Sequence, residues 1–200
     1  MQITRLTAIQ GAMLALYSVT QLKGPEQLVP QQRDRVYHPP PVGVSYDDND
    51  TVFGQILRGE IPANTLSESD NLLTFSDIRP RAPLHALVIP KRRIGSVFDL
   101  NATTDLPMLY EMEETALKLL DATAPEAYLS GDYTLCFHIP PHNSVDHLHL
   151  HVLAPASEMN LLSRWIIYKT GTRNAADLDS LLSRLERGLP SVPYERPPLR

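Results

Sequence analysis

The sequence from His147 to Leu153 reads HLHLHVL, in which histidine alternates with an apolar residue. Because a β-strand sends successive side chains to opposite faces, this alternation predicts a strand over 148–153. Its apolar side chains would face a core, and the imidazoles of His147, His149 and His151 would share the other face. Alternate residues on a strand are about 6.6–7 Å apart. The stretch therefore predicts a row of three imidazoles along one wall of a pocket.

Three imidazoles in a row suit an anionic ligand, because histidine is the side chain that gains or loses a proton near neutral pH. One ring can attack phosphorus while a neighbouring ring supplies or carries a proton. Metal binding is the competing interpretation, since two histidines separated by one residue on a strand make a good zinc pair. The chain has no HExxH motif and one cysteine, Cys136, which argues against the helical and thiolate-rich types of zinc site.

Helical and strand patterns alternate along the rest of the chain. Leu109, Met112, Ala116 and Leu119 recur at helical spacing and predict the clearest helix, over 105–121. The segment 161–169 fits either a helix or a loop. Other patterns predict helices over 51–58 and 177–187 and strands over 72–75, 86–89 and 133–139. The order α, β, β, α, β, β, α indicates an α+β fold with a mainly antiparallel sheet and a central helix.

Proline placement predicts where the folded domain begins and ends. Of the 18 prolines, five lie between Gly24 and Tyr46 and four follow Leu189, in stretches that show no hydrophobic periodicity. Such stretches are typical of linkers with polyproline character. We therefore expect a disordered or weakly structured extension and linker over 1–46, a domain over 47–188, and a Pro-rich tail over 189–200 that does not pack.

Composition limits the partners and the compartment. The net charge of −5 gives no electrostatic case for a nucleic-acid surface, so nucleic-acid binding is not expected. No apolar run approaches the ~18 residues of a membrane span. A single cysteine fits a reducing compartment, and we expect a cytoplasmic or nuclear protein. Residues 1–23 lack Asp and Glu and contain a mildly apolar stretch, so organelle targeting is a weaker alternative.

Two upstream segments accompany the histidine motif. FGQILRGEIPA begins at Phe53, and FSDIRPRAPLHALVIPK runs from Phe75 to Lys91. Together with the histidine motif, and in this order and spacing over 52–155, they resemble the histidine triad family, and within it the nucleotide-binding branch. The resemblance implies the fold of that family. It also implies a purine nucleoside monophosphoramidase that needs no metal or cofactor and pairs as a homodimer through the helix at 105–121.

The resemblance also implies a role for each matching residue. His149 would be the nucleophile that forms a nucleotidyl-histidine, and His151 would contact the phosphate or leaving group. His147 and His85 would complete the histidine set, with a buried neutral residue as the alternative interpretation of His85. Nucleotide contacts would come from Asp77 at the ribose, Ser144 at the phosphate, and an apolar purine pocket of Val52, Phe53, Ile56, Phe75 and Ile78. Asp77 could instead cap a turn, and Ser144 could be an ordinary loop residue.

Other activities stay open at this point. They are a dinucleoside polyphosphate hydrolase, an aprataxin-like deadenylase and a nucleotide-sensing scaffold with little turnover. Aprataxin-like enzymes carry a C-terminal zinc finger, for which this chain has no matching residues. The chain also departs from the best-known branch. Leu135-Cys136-Phe137 stands where that branch has a phosphate-binding Asn, and Asp146 precedes the triad where an aromatic residue is common.

Overall fold

The computed structural model describes residues 35–198. It contains two short 3-10 helices, Val97–Asp99 and Ala156–Glu158, and a π-helix, Ser163–Ile167. The α-helices are α1 Val52–Leu57, α2 Ala102–Thr123, α3 Pro125–Ser130 and α4 Leu178–Glu186. The strands are β1 Thr65–Glu68, β2 Leu72–Ser76, β3 Leu84–Pro90, β4 Thr134–His138, β5 Leu150–Ala154 and β6 Ala175–Asp177.

The six strands form one sheet in the order β1-β2-β3-β5-β4-β6, and every neighbouring pair is antiparallel. Helices α2 and α4 pack on one face of this sheet, where α2 buries Leu109, Met112 and Ala116 against strand residues such as Val152. The other face carries α1 and the histidine motif. The predicted α+β fold with an antiparallel sheet and a central helix is therefore confirmed.

Strand β5 separates the two faces as its alternation predicts. Leu150 and Val152 belong to the core under the helices, whereas His151 lies on the opposite face, between its cross-strand partners Leu87 of β3 and Cys136 of β4. Leu148 also reaches the helix-side core, although the regular strand begins only at Leu150. The motif thus lies in the middle of the sheet, flanked by β3 and β4.

Several elements differ from the sequence prediction, and the short or exposed strands do so because they carry little hydrophobic periodicity. Strand β1 is exposed along its whole length at the sheet edge, and β6 has three residues. Helix α2 begins earlier than 105, after Asn101, whose side chain accepts from the Thr103 N–H at 2.8 Å. Helix α3 follows it directly. The segment 161–169, whose sequence fits either a helix or a loop, contains the π-helix.

Residues on both sides of the predicted 47–188 domain pack against it. Before it, His38 and Tyr46 are buried, and the His38 N–H donates to the Leu57 carbonyl at 2.9 Å. After it, Val192 enters the core and Ser191 donates to the Val97 carbonyl. Proline fixes the backbone at small entropic cost, so a stretch without periodicity can still dock side chains. The packed region is accordingly longer than 47–188 at both ends.

Two sequence predictions concern residues before 35. The targeting interpretation of residues 1–23 and most of the 1–46 extension lie outside the described residues. Within residues 35–198, none of the helices has the length and hydrophobicity that a membrane crossing requires.

Candidate active site

A pocket of about 590 Å³ opens on the face of the sheet that carries the histidine motif. Its volume falls in the range that small-molecule sites occupy. All of the sequence-predicted site residues line it except His147 and His85, which lie behind its wall. Those lining it are Val52, Phe53, Ile56, Phe75, Asp77, Ile78, Ser144, His149 and His151. Loops and strands far apart in sequence thus bring one set of side chains together.

His147 is fully buried and has both ring nitrogens engaged. Its Nε2–H donates to the Pro90 carbonyl at 2.8 Å, and its Nδ1 accepts from the Asn49 amide at 3.0 Å. The Asn49 Oδ1 in turn accepts from the Thr51 hydroxyl at 2.7 Å, which fixes the orientation of the amide. His147 therefore supports the site from behind. It has no free nitrogen for a metal shared by His147, His149 and His151.

His149 is held so that one nitrogen is free. Its Nδ1–H donates to the backbone carbonyl of His147 at 2.6 Å. The proton is therefore on Nδ1, and the lone pair is on Nε2. Phe53 and His149 pack in a T-shaped arrangement at a centroid distance of 5.3 Å, and His149 is 5% exposed. This arrangement gives the pocket a neutral, oriented nitrogen nucleophile.

His85 and His151 form a hydrogen-bond chain whose direction can be assigned. The backbone N–H of Arg81 donates to His85 Nδ1 at 3.2 Å, so the proton of His85 is on Nε2. That Nε2–H donates to His151 Nδ1 at 3.0 Å. His151 must then carry its own proton on Nε2, which has no partner among the described residues. His151 therefore offers an N–H donor to the pocket.

Two residues to which the sequence analysis gave no role also line the pocket, His138 and Tyr168. Their rings lie 4.9 Å apart between centroids, and Tyr168 also packs edge-on against His85 and His151. His138 ends β4, in a strand with an apolar composition. The sequence offers no periodic signal for either contact, because both depend on how β4 and the segment after the π-helix meet β5.

The apolar end of the pocket is built from α1 and β2. Phe53 and Phe75 meet edge to face at 5.6 Å, and Ile56 packs in the same cluster. Val52 and Ile78 are exposed at the rim, Ile78 by 74%. Asp77 serves the turn, since its Oδ1 accepts from the Arg79 N–H at 2.7 Å. The residue still lines the pocket, so turn capping and a ligand contact are compatible.

Ser144 and Asp146 lie on the loop before the motif. Ser144 is exposed and lines the pocket. Asp146 accepts from the Asn143 side chain at 2.9 Å and lies outside the residues that line the pocket. The acidic residue before the triad therefore bonds within its own loop.

Burial keeps the imidazoles neutral. It lowers the pKa of His147, of His138 and of His85 to about 4 in each case, and for His85 nearby Asp77 opposes the effect. It also lowers the pKa of His149, against the hydrogen bond to the His147 carbonyl, and holds the pKa of His151 well below its ordinary value. Uncharged rings are the state that nucleophilic attack and metal binding both need.

Two sets of side chains have the spacing of metal ligands. A ring nitrogen from each of His138, His149 and His151 lies within 4.8 Å of the others, and Asp77, His85 and His151 form a similar group. Either set would use His151, whose Nε2 carries a proton while Nδ1 accepts from His85. A metal there would have to displace that proton and rearrange the chain of hydrogen bonds.

The buried histidines are expected to make stability fall in acid. Between the ordinary pKa of 6.5 and the folded value of about 4, the unfolded chain binds more protons than the folded one. The free energy of unfolding should therefore decrease as pH falls through this window, by about 1.4 kcal/mol per pH unit for each such histidine. Urea denaturation at pH 7.5, 6.5, 5.5 and 4.5 measures this slope.

The variant His147→Gln is expected to reduce this slope, because one of the buried rings is removed. His142→Gln is the matched control, since His142 is exposed, and its slope should equal that of the wild type. A free energy of unfolding that stays constant from pH 6.5 to 4.5 contradicts the assignment of neutral buried rings.

The chain matches, over residues 50–166, the family model described as scavenger mRNA decapping enzyme C-term binding. It is 35% identical over 145 residues to adenosine 5′-monophosphoramidase HINT3 of Mus musculus. The aligned region covers 72% of this chain and 85% of the mouse protein. It is 36% identical over 122 residues to the bifunctional adenosine 5′-phosphosulfate phosphorylase/adenylylsulfatase HINT4 of Arabidopsis thaliana, covering 60% and 78%. A HIT family hydrolase from Legionella pneumophila Philadelphia 1, solved by crystallography, is 39% identical and covers 52% of this chain and 90% of its own, with a TM-score of 0.47.

Proposed function

We propose, because this chain belongs to the histidine triad family, that it hydrolyses purine nucleotide derivatives through a nucleotide bonded covalently to His149. Adenosine 5′-monophosphoramidates are the proposed substrates. The observation that carries the proposal is the bond from His149 Nδ1 to the His147 carbonyl, which leaves Nε2 as a free nucleophile. The name of the mouse relative, adenosine 5′-monophosphoramidase, supports the choice of substrate.

The pocket supports the proposed nucleotide in three parts. The purine would pack in the apolar end between Phe53, Ile56 and Phe75, the ribose hydroxyls would bond Asp77, and the phosphate would lie above His149. Ser144 and the Nε2–H of His151 would donate to the phosphate oxygens, where charge develops during attack. Val52 and Ile78 would close over the base from the rim.

The proposed reaction has two steps. His149 Nε2 attacks the α-phosphorus, and the bond from phosphorus to the amine breaks. Water then attacks the same phosphorus and releases the mononucleotide, restoring the lone pair on Nε2. The Nδ1–H bond to the His147 carbonyl is kept throughout, so it stabilises the positive charge of the ring while phosphorus is attached.

Trapping the intermediate tests this function. The full chain is mixed with adenosine 5′-monophosphoramidate, quenched in alkali within a turnover, digested and analysed by mass spectrometry. An adenylyl group on His149, together with release of AMP, is the expected result. Tight nucleotide binding with neither adduct nor AMP release would contradict the hydrolase proposal and favour a nucleotide-sensing scaffold. AMP release from a dinucleoside polyphosphate in preference to the phosphoramidate would redirect the substrate assignment.

Asp77→Asn is expected to weaken the distinction between ribose and deoxyribose. The carboxylate is the proposed acceptor for the ribose hydroxyls, and an amide accepts them less well because it is uncharged. KM for the adenosine substrate should rise about tenfold, while the 2′-deoxyadenosine analogue changes little, since a charge-assisted hydrogen bond is worth about 1.5 kcal/mol or more. Asp70→Asn is the matched control, because Asp70 is an exposed carboxylate outside the residues that line the pocket. Equal increases of KM for both substrates would contradict the proposed contact between Asp77 and the ribose hydroxyls.

The assembly and compartment are proposed separately. Two copies would pair through α2 and a sheet edge, as the exposed side of α2, which includes Tyr110, is available for contact. Light scattering coupled to size-exclusion chromatography measures the mass directly. A cytoplasmic or nuclear location is compatible with Cys136, a buried free thiol. Imaging of the full chain with a fluorescent tag checks this location and the alternative of organelle targeting.

A further inference from the structure

His138 lies beside the proposed nucleophile although it is outside the triad motif. The register that pairs Cys136 with His151 carries β4 forward so that His138 lies next to the motif. The centroid of its ring is 4.5 Å from that of His151, and a ring nitrogen of His138 lies within 4.8 Å of nitrogens of His149 and His151. His138 also lines the pocket.

One ring nitrogen of His138 makes no hydrogen bond. Its Nε2 is buried and has no partner among the described residues. Nε2 can therefore gain or release a proton at the pocket wall without the loss of any hydrogen bond.

The neighbouring imidazoles cannot gain a proton in this way. His151 already carries its proton on Nε2, and a second proton on Nδ1 would face the N–H of His85 and break that bond. His149 Nε2 is consumed when it bonds to phosphorus. His147 has both nitrogens engaged behind the pocket. Among the imidazoles buried at this wall, proton transfer is therefore left to His138.

We propose that His138 is the catalytic acid and base of this site, a role that rests on the proposed function of His149. When the anionic substrate enters, His138 Nε2 takes a proton from solution. As His149 Nε2 attacks phosphorus, the bond from phosphorus to the amine nitrogen breaks, and its electron pair takes the proton from His138. The amine leaves neutral, and His138 returns to its neutral form.

The second step reverses the role of His138. Water attacks phosphorus and gives its proton to His138 Nε2, while the phosphorus–nitrogen bond breaks and its electron pair returns to His149. Both steps are in-line displacements, so the departing amine and the arriving water use the same side of phosphorus, opposite His149. One residue at a fixed position can therefore protonate the departing amine and later take the proton from the arriving water.

His138→Gln tests the proposal with two substrates that share the adenylyl group. The first is an AMP phosphoramidate of an alkylamine, which must gain a proton to leave. The second is the p-nitrophenyl ester of AMP, whose leaving group departs as an anion. Rapid-quench measurement of the His149 adduct separates the first step from the second. The ester also reports whether the variant is folded and able to bind the nucleotide.

Adduct formation from the alkylamine substrate should fall about 10²–10³-fold in the variant, the range for loss of a general acid. Adduct formation from the ester should stay within about threefold of wild type, and the adduct should then accumulate because water lacks its base. Equal losses on both substrates, or wild-type turnover on the alkylamine substrate, overturn the role of His138. If the wild-type chain forms no His149 adduct, the proposed function itself fails, and this role fails with it.

Discussion

His149→Ala is expected to lower kcat for adenosine 5′-monophosphoramidate by at least about 10⁴-fold, which is the scale of losing a covalent nucleophile. Attack by another ring would lack the bond from Nδ1–H to the His147 carbonyl that orients His149. His151 presents an N–H to the ligand, and His147 lies behind the wall with both nitrogens bonded. The loss should therefore appear in kcat and in adduct formation alike, measured by AMP release and by mass spectrometry.

The same variant should still bind nucleotide. The proposed purine and ribose contacts come from α1, β2 and the turn at Asp77, and none of them uses the imidazole of His149. The Kd for AMP, measured by calorimetry, should therefore stay within about threefold of wild type, a change of less than 1 kcal/mol. Turnover above about one per cent of wild type would contradict the assignment of His149 as nucleophile. Loss of both turnover and binding would point to damage to the pocket.

Gly54→Ala is expected to damage both stability and catalysis, although residue 54 touches no proposed ligand. A Cβ at this position would lie 2.0 Å from the Asn49 carbonyl oxygen and 2.6 Å from its Cγ. The backbone of Asn49 would have to move, and such overpacking typically costs about 1–3 kcal/mol. Asn49 holds the Nδ1 of His147, and the His147 carbonyl orients His149, so the displacement reaches the nucleophile.

For this variant kcat should fall on the order of 10²-fold, as for a displacement of about 1 Å at a catalytic group. Urea denaturation and steady-state kinetics measure the two effects. Gln55→Ala, one residue further along α1, is the matched control and should stay within about 0.5 kcal/mol of wild type. A Gly54→Ala chain with wild-type stability and kcat would show that the position of Asn49 does not determine the orientation of His149.

The face of each central strand is a local property, which explains why it could be predicted. Alternation along β5 is visible in seven consecutive letters, and it places His149 and His151 opposite Leu150 and Val152 without knowledge of any partner strand. The same holds for the long amphipathic helix α2, whose buried residues repeat at helical spacing. The resemblance to a family then supplied the remaining pocket residues from α1, β2 and the turn at Asp77.

Pairing between distant segments is not local, and here the sequence analysis failed. Asn49 supports His147 from 98 residues away, and it lies in a stretch without periodicity. His138 reaches the pocket only through the register of β4 against β5. The exposed edge strand β1 and the docked tail at Val192 were missed for a related reason, because neither shows a hydrophobic repeat.

Because the imidazoles are uncharged in the free site, nucleotide binding should be accompanied by a measurable uptake of protons from the buffer. An anionic phosphate placed among neutral rings raises their affinity for protons, so complex formation draws hydrogen ions from solution. Calorimetric binding heats should then differ between buffers of large and small ionisation enthalpy at one pH, in proportion to the hydrogen ions absorbed. Ligand affinity should weaken in alkaline solution for the same reason, because the occupied site binds more protons than the free site.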